Sequence, residues 1–371
     1  MRIKDVMQML NEWAPLTYSE DFDNTGLLVG DASNDVTGVL VTLDCLESVL
    51  EEALQTGCNL IVSFHPIIFG GLKKITGKTY VERVVQKAIK NDIAIFAIHT
   101  ALDNAWDGVN SQMLQTLGAK KQQVLIPQKG SLKKLTTFAP KHEAQDILTA
   151  LFDAGAGAMG DYSECSFTID GMGTFTPDPN ANPSLGKIGV RHHESETKID
   201  VVFARDKESQ IVKALLNKHS YEEVAYEIYT IENTNSRLGM GMVGSFDKPM
   251  QPKAFLEHLQ TKMNAKGIRH SALGKKPIKT IAVLGGSGSF GIGAAMAKGV
   301  DAYVSADFKY HDFFKAEGQI LLVDIGHYES EQYTKNLIVT YLQKKITNFA
   351  PAFPQGKVLL SQIDTNPIIY L

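Results

Sequence analysis

Ile320-Leu321-Leu322-Val323-Asp324-Ile325-Gly326-His327-Tyr328-Glu329-Ser330-Glu331 is the stretch on which the fold turns. An apolar run stops at Gly326 and His327 follows at once. From Tyr328 the chain passes through Tyr333, Leu337, Ile338, Tyr341 and Leu342 with few breakers. The pattern predicts a buried strand followed by an amphipathic helix packed back on it. His327 then sits at the carboxyl end of a strand, and Glu331 lies one helical turn further on the same side. An imidazole and a carboxylate so placed can grip a divalent cation. A helix N-terminus with acids matched to the macrodipole fits the stretch equally.

Working outward, the same alternation recurs. Val6–Trp13 is expected to be a helix, with Val6, Met7, Leu10 and Trp13 on one stripe. A carboxylate-dense loop, Glu20-Asp21-Phe22-Asp23-Asn24-Thr25-Gly26, precedes an apolar run. Strands are expected at Val36–Leu43, Asn59–Phe64 and Ile93–Ile98, and helices at Leu46–Gln55, Thr79–Asn91 and around Ser111–Leu117. Pro66 stops the second of these strands and leaves His65 at its end. Further on, the helix Pro252–Met263 and the strands Ile278–Leu284 and Ala302–Ala306 resume the pattern. The tail from Gly356 to Leu371 is apolar enough to add an edge strand. The fold class is α/β: a largely parallel sheet covered by helices on both faces.

Between the two halves the character changes. Leu135–Ala139, His142–Ala154, Ser166–Asp170, Lys198–Ala204, Lys207–His219 and Val224–Ile231 give a βαββαβ order, that of a ferredoxin-like α+β unit. Residues 1–130 and 236–371 are therefore expected to form the core, and residues 131–235 an inserted domain.

The totals exclude several classes. At 371 residues the chain is long for one core. The net charge of −4 leaves no global basic footprint, so nucleic-acid binding is disfavoured. No apolar run approaches about 20 residues, so no membrane span is expected. Cys45, Cys58 and Cys165 lack metal spacing and a disulfide framework. They suit a reducing compartment, and the expected location is the cytoplasm.

His65, His99 to Asp103, Asp307 and His327 to Glu331 share one property: each follows an expected strand at its carboxyl end. In a parallel sheet those ends form the rim where ligands bind. Imidazole nitrogen and carboxylate oxygen without thiolate suit Zn, Fe or Mn. Two such ions about 3.5–4 Å apart would act as in two-metal hydrolases. His99, Asp307 and His311 are the candidates for moving protons. Gly285 to Gly291 fits either a phosphate cradle or close helix–strand packing.

Together, the Glu20–Gly30 run, Ser63-Phe64-His65-Pro66-Ile67-Ile68-Phe69, His99-Thr100-Ala101-Leu102-Asp103 and Gly326-His327-Tyr328-Glu329-Ser330-Glu331 resemble the NGG-one-interacting-factor-three-like family, also called GTP cyclohydrolase I type 2 homologues. The insert resembles the PII/CutA-like domain of the longer bacterial members. The resemblance implies two divalent ions on His65, Asp103, His327 and Glu331, with Glu331 bridging. It also implies a toroidal homohexamer and a hydrolase of a nucleotide or similar small phosphorylated substrate. A metal-binding regulatory or scaffold ring with a metabolite-sensing insert is the alternative. Phe64 departs from the family, where histidine is frequent, so one ion lacks a ligand. Either His99 replaces it or that ion binds weakly.

Overall fold

Short apolar runs bounded by Gly, Asn and Pro become strands, four residues long in β1 to β4, and the amphipathic stretches between them become their cover. The computed structural model describes residues 1–350 and 357–371. In chain order the elements begin with α1 (Ile3–Trp13), β1 (Gly26–Val29), β2 (Val39–Thr42), α2 (Glu47–Thr56), β3 (Leu60–Ser63), α3 (Tyr80–Lys90), β4 (Ala94–Ala97), α4 (His99–Asn104), α5 (Val109–Leu117) and β5 (Lys120–Pro127). Next come β6 (Leu132–Pro140), α6 (Ala144–Asp153), β7 (Ser166–Phe175), β8 (His192–Ala204), α7 (Glu208–Lys218) and β9 (Tyr226–Thr230). The last third holds β10 (Gly239–Met250), α8 (Pro252–Lys262), β11 (Arg269–His270), β12 (Ile278–Ser287), α9 (Ile292–Ala297), β13 (Ala302–Ala306), β14 (Leu321–Asp324), α10 (His327–Glu331), α11 (Thr334–Phe349) and β15 (Val358–Leu360). The described residues divide into two compact units, Met1–Pro127 with Arg237–Leu371, and Gln128–Ser236.

The expectation of one largely parallel sheet is corrected: the first unit contains two sheets. One has the order β1-β4-β3-β2-β15, parallel except for β1. The other has the order β11-β14-β13-β12-β10-β5, in which only β12, β13 and β14 run parallel. The physical reason is that each sheet closes its own core. The first packs Ile3, Val6 and Leu10 of α1 and Ile338 and Leu342 of α11 on one face. Val49 and Leu50 of α2 and Val84 and Val85 of α3 cover its other face. The second sheet buries Met113 and Leu114 of α5 and Phe255 and Leu259 of α8 on one side, and Ile292 and Ala295 of α9 on the other. Each such side chain is worth roughly 1.5–3 kcal/mol when fully buried. The cover is thus helical on both faces, as expected. The helix expected from Tyr328 onward breaks into α10 and α11. The tail supplies β15 as an edge strand beside β2; Gly356, where that expectation began, lies outside the described residues.

The second unit is a four-stranded antiparallel sheet, order β7-β8-β6-β9. Leu135, Ile199 and Phe203 pack under Ile147 and Leu151 of α6 and Ile211 and Leu215 of α7.

The connection before α3 is tied down by one carboxylate. Glu82 Oε2 accepts from Thr76 N and Thr76 Oγ1 at 2.7 Å and from Lys78 N at 3.1 Å. These bonds, led by the Thr76 hydroxyl, hold the Glu82 carboxyl down at about 2. A group lowered in the folded state stabilises above its ordinary value and loses that contribution as pH falls toward the folded value. Glu82→Gln protein is therefore expected to melt below the wild type at pH 7. The gap should narrow steadily as pH drops from 4.5 toward 2, which paired thermal melts would read.

Candidate metal centre

The carboxyl ends of the two sheets supply the site. From the first sheet, Asp44 follows β2, His65 follows β3 and His99 opens α4 directly after β4. From the second, Asp307 follows β13, and His327 and Glu331 bracket α10 after β14. Asn110 of α5 joins the halves: its Nδ2 donates to Asp103 O at 3.0 Å, and its Oδ1 accepts from Gly285 N at 3.0 Å.

His65, His327 and Glu331 offer ligand atoms that all lie within 4.8 Å of one another. Glu331 Oε2 is 3.1 Å from His65 Nε2 and 3.2 Å from His327 Nε2. His65 Nε2 and Glu331 Oε2 are sealed from solvent, yet no hydrogen bond satisfies either atom. Asp103 Oδ1 is likewise buried without a partner. Orphaned buried polar atoms are costly, and a divalent cation held by His65, His327 and Glu331 is the kind of group that would satisfy the first two; Asp103 lies outside that close group. The residues therefore fit a metal.

The other ring nitrogens explain why Nε2 is free. His65 Nδ1 lies 2.8 Å from Asp44 Oδ1, His99 Nδ1 2.8 Å from Asp23 Oδ1, and His327 Nδ1 2.7 Å from Asp307 Oδ2. An ionised carboxylate only accepts, so each Nδ1 carries a proton. In the neutral ring Nε2 is then a lone pair, the arrangement that carboxylates impose on metal-binding histidines. The acids are themselves anchored. Asp23 Oδ2 accepts from Thr100 N and Thr100 Oγ1, Asp44 Oδ2 from Thr365 Oγ1 at 2.7 Å, and Asp307 Oδ2 from Ser287 Oγ.

Charge follows the same plan. Burial works against the His65 imidazolium, but Glu331 and Asp44 lift its pKa to about 10. His327 is lifted to about 11 against burial by Asp307 and Glu331. Burial opposes ionisation of Glu331, yet His65 and His327 hold it low. Asp103 is pushed up, first by burial and then by the Glu331 charge. The imidazolium protons thus occupy the electrostatic place that a cation would take. Two site residues are strained: His99 has φ +23 and Asp307 φ +60, in the left-handed region that side chains avoid.

The remaining expected residues fall as follows. The His99 ring lies 5.3 Å from that of His65. Phe64 is fully buried, its ring 5.0 Å from His65 and 5.5 Å from His99, and walls the two imidazoles. His311 is exposed and its ring packs with Tyr310 and Phe314. The glycine run is a packing device. Gly285 N donates to Asn110, Gly286 N to Ser330 Oγ and Gly288 N to Ala306 O, which leaves those amides no phosphate to bind. Sequence reasoning passed over Asp44 and the partner role of Asp23. Asp44 ends a strand just as His65 does, and the same rim rule would have found it.

A family model described as Duf34/NIF3 (NGG1p interacting factor 3) matches residues 1–367. The chain is 35% identical to a Bacillus subtilis (strain 168) protein named GTP cyclohydrolase 1 type 2 homolog, over 99% of this chain and 98% of that one. The fold is similar to the crystal structure of a Bacillus cereus protein related to NIF3, with a TM-score of 0.83, 33% identity, and coverage of 100% of this chain and 99% of that one. Staphylococcus aureus protein SA1388 follows with a TM-score of 0.76 and 29% identity, over 100% of this chain and 99% of that one. Matched from end to end in sequence and in fold, the chain belongs to the Duf34/NIF3 family.

Proposed function

We propose that this protein is a metal-dependent hydrolase that uses two divalent cations, Zn, Fe or Mn, on a nucleotide or similar small phosphorylated substrate. The observation that carries this reading is the convergence of His65, His327 and Glu331 ligand atoms at a buried point, with the Nδ1 of His65, His99 and His327 each tied to a separate aspartate. His65, Asp103, His327 and Glu331 are the ligands, and His99 takes the place that Phe64 leaves empty. Bound there, divalent cations would supply Lewis acidity and lower the pKa of a coordinated water.

The chain's own groups do the positioning. Asp23, Asp44 and Asp307 hold the Nδ1 protons and fix the rings; Asp307 acts through His327. His311, exposed and packed with Tyr310 and Phe314, is the further candidate for carrying protons. Phe22 and Phe69 are exposed with ring centroids 6.5 Å apart, and Phe69 is 6.3 Å from His99. Flat apolar faces beside the histidines suit a heterocyclic base.

Residues 131–235 form, in this reading, an inserted PII/CutA-like domain, and the assembly is a cytoplasmic homohexamer. The βαββαβ order supports the inserted domain; among the described residues no helix is long and apolar enough to cross a membrane. A screen of nucleotides and phosphodiesters against chelator-treated and metal-reloaded protein tests the hydrolase. Turnover is expected only after reloading, and full turnover by the chelated protein would refute it. The regulatory alternative gains support from the cavity in the second unit, described next.

A further inference from the structure

The unit Gln128–Ser236 has a cavity of its own, about 430 Å³ in volume. That is the size of a small-molecule site. Phe138, Phe175, Tyr221 and Leu185 wall it. Part of the wall comes from the connection between β7 and β8, residues 176–191, the Gly-, Pro- and Asn-rich stretch that the metal centre does not use. A connection of that length without secondary structure usually has a task. This one is pinned in place: Gly189 N donates to Pro177 O at 2.8 Å, and Asn182 N to Glu222 Oε2 at 2.8 Å.

The charged part of the lining has one sign. Glu196, Glu222 and Glu223 face the cavity, and no Lys, Arg or His is among its lining residues. Glu222 is partly engaged by Asn182. Glu196 is half-buried, and its Oε1 accepts from Tyr221 Oη at 2.9 Å. Its Oε2 lies over Gly173, where a Cβ would overlap it. The basic groups around it have other partners or lie outside the lining: Lys141 pairs with Asp170, Lys198 with Asp200 and His192 with Glu194, His219 Nε2 meets Phe138 O, and Lys187 and Arg191 of the connection do not line the cavity. The Phe175 and Tyr221 rings stand 6.2 Å apart and tilted beside that carboxylate. Burial first, and then the Glu196 charge, push the Tyr221 hydroxyl up, so it stays a donor. Aromatic faces around an uncompensated carboxylate are how proteins hold organic cations. Three carboxylates repel a phosphate or carboxylate ligand, and a neutral one would leave Glu196 without a counter-charge.

We propose that this cavity binds a small organic cation, an amine or quaternary ammonium on an apolar body, with its charge on Glu196 and its body against Phe138, Phe175 and Tyr221. The proposal does not depend on the hydrolase reading.

Benzyltrimethylammonium, benzyl alcohol and benzoate are matched probes, to be titrated into the full chain by calorimetry or ligand-observed NMR. The ammonium is expected to bind at least about tenfold more tightly than the alcohol, and benzoate more weakly than either. Glu196→Gln, which keeps the acceptor for Tyr221, should bring the ammonium down to the level of the alcohol. Ala181→Trp, in the pinned connection, should block both probes while circular dichroism stays that of the wild type. Equal binding of ammonium and alcohol, unchanged ammonium binding by Glu196→Gln protein, or no ammonium binding at about 10 mM would each overturn the proposal.

Discussion

Glu331→Gln protein is expected to hold a divalent cation at least about a hundredfold more weakly than the wild type. Losing a partner one step removed from a metal already costs roughly 10–100-fold, and Glu331 is the residue on which both imidazoles converge. Its Oε2 lies within 3.2 Å of His327 Nε2 and 3.1 Å of His65 Nε2, and the residue is only 3% exposed. An amide matches the carboxylate in size, so α10 should survive the change. It carries no charge, however, and presents either one weak acceptor or an NH₂ group that would repel a cation. Metal content after dialysis, together with competition against a chelating dye, reads the effect. His311→Ala is the contrasting variant. Its ring packs with Tyr310 and Phe314 and it is not among the grouped ligand residues, so its affinity should match the wild type. Stoichiometric metal in the Glu331→Gln protein would sink the assignment.

Gly286→Ala should be nearly as damaging without touching a ligand. Gly286 has φ +68, and a Cβ there would overlap Glu331 Oε1 and come within 3.3 Å of the His327 ring. Gly57, the residue that ends α2, provides the control. Its φ is also +68, but a Cβ there meets nothing within 4 Å. Gly57→Ala therefore pays only the left-handed backbone cost, about 1–2 kcal/mol. Gly286→Ala pays that and must also displace Glu331 from between the histidines. Denaturant melts should show both variants destabilised, with Gly286→Ala the lower. Metal binding should fall only in Gly286→Ala. Equal metal affinity in the two proteins would mean that the glycine run is not packed against the site as described.

Much of this centre was legible because its residues follow one rule. His65, His99, Asp307 and His327 each sit just past an apolar strand, and Glu331 is one turn from His327. Period and position alone nominate them. The sheets were harder. β5 begins Lys120-Lys121-Gln122-Gln123, an exposed edge whose composition hides it. β10 alternates glycine and methionine before Pro249, a pattern that does not look like a strand, yet it is the antiparallel partner of both β5 and β12. Without those two strands, a second sheet cannot be told from an extension of the first. The aspartates that orient the histidines were also hidden. Asp23 lies 76 residues from His99, and only tertiary structure joins them. The Glu20–Gly30 loop fitted both a surface turn and a site wall; the Asp23 carboxylate, held low against burial by His99 and Thr100, is what makes it a wall.

The hydrogen bond from Thr365 to Asp44 carries a consequence for biosynthesis. The residue that steadies His65 is itself steadied from 321 positions further along the chain, and β15 reaches β2 only after α11 is complete. While α1 to α5 are being made, His65 and His99 exist without His327, Glu331 and Thr365, and without the α11 residues Ile338 and Leu342 that cover the first sheet. Cation capture is thereby deferred until the second sheet and α10 have been made, so a half-made chain is a poor scavenger of whichever ion is most abundant.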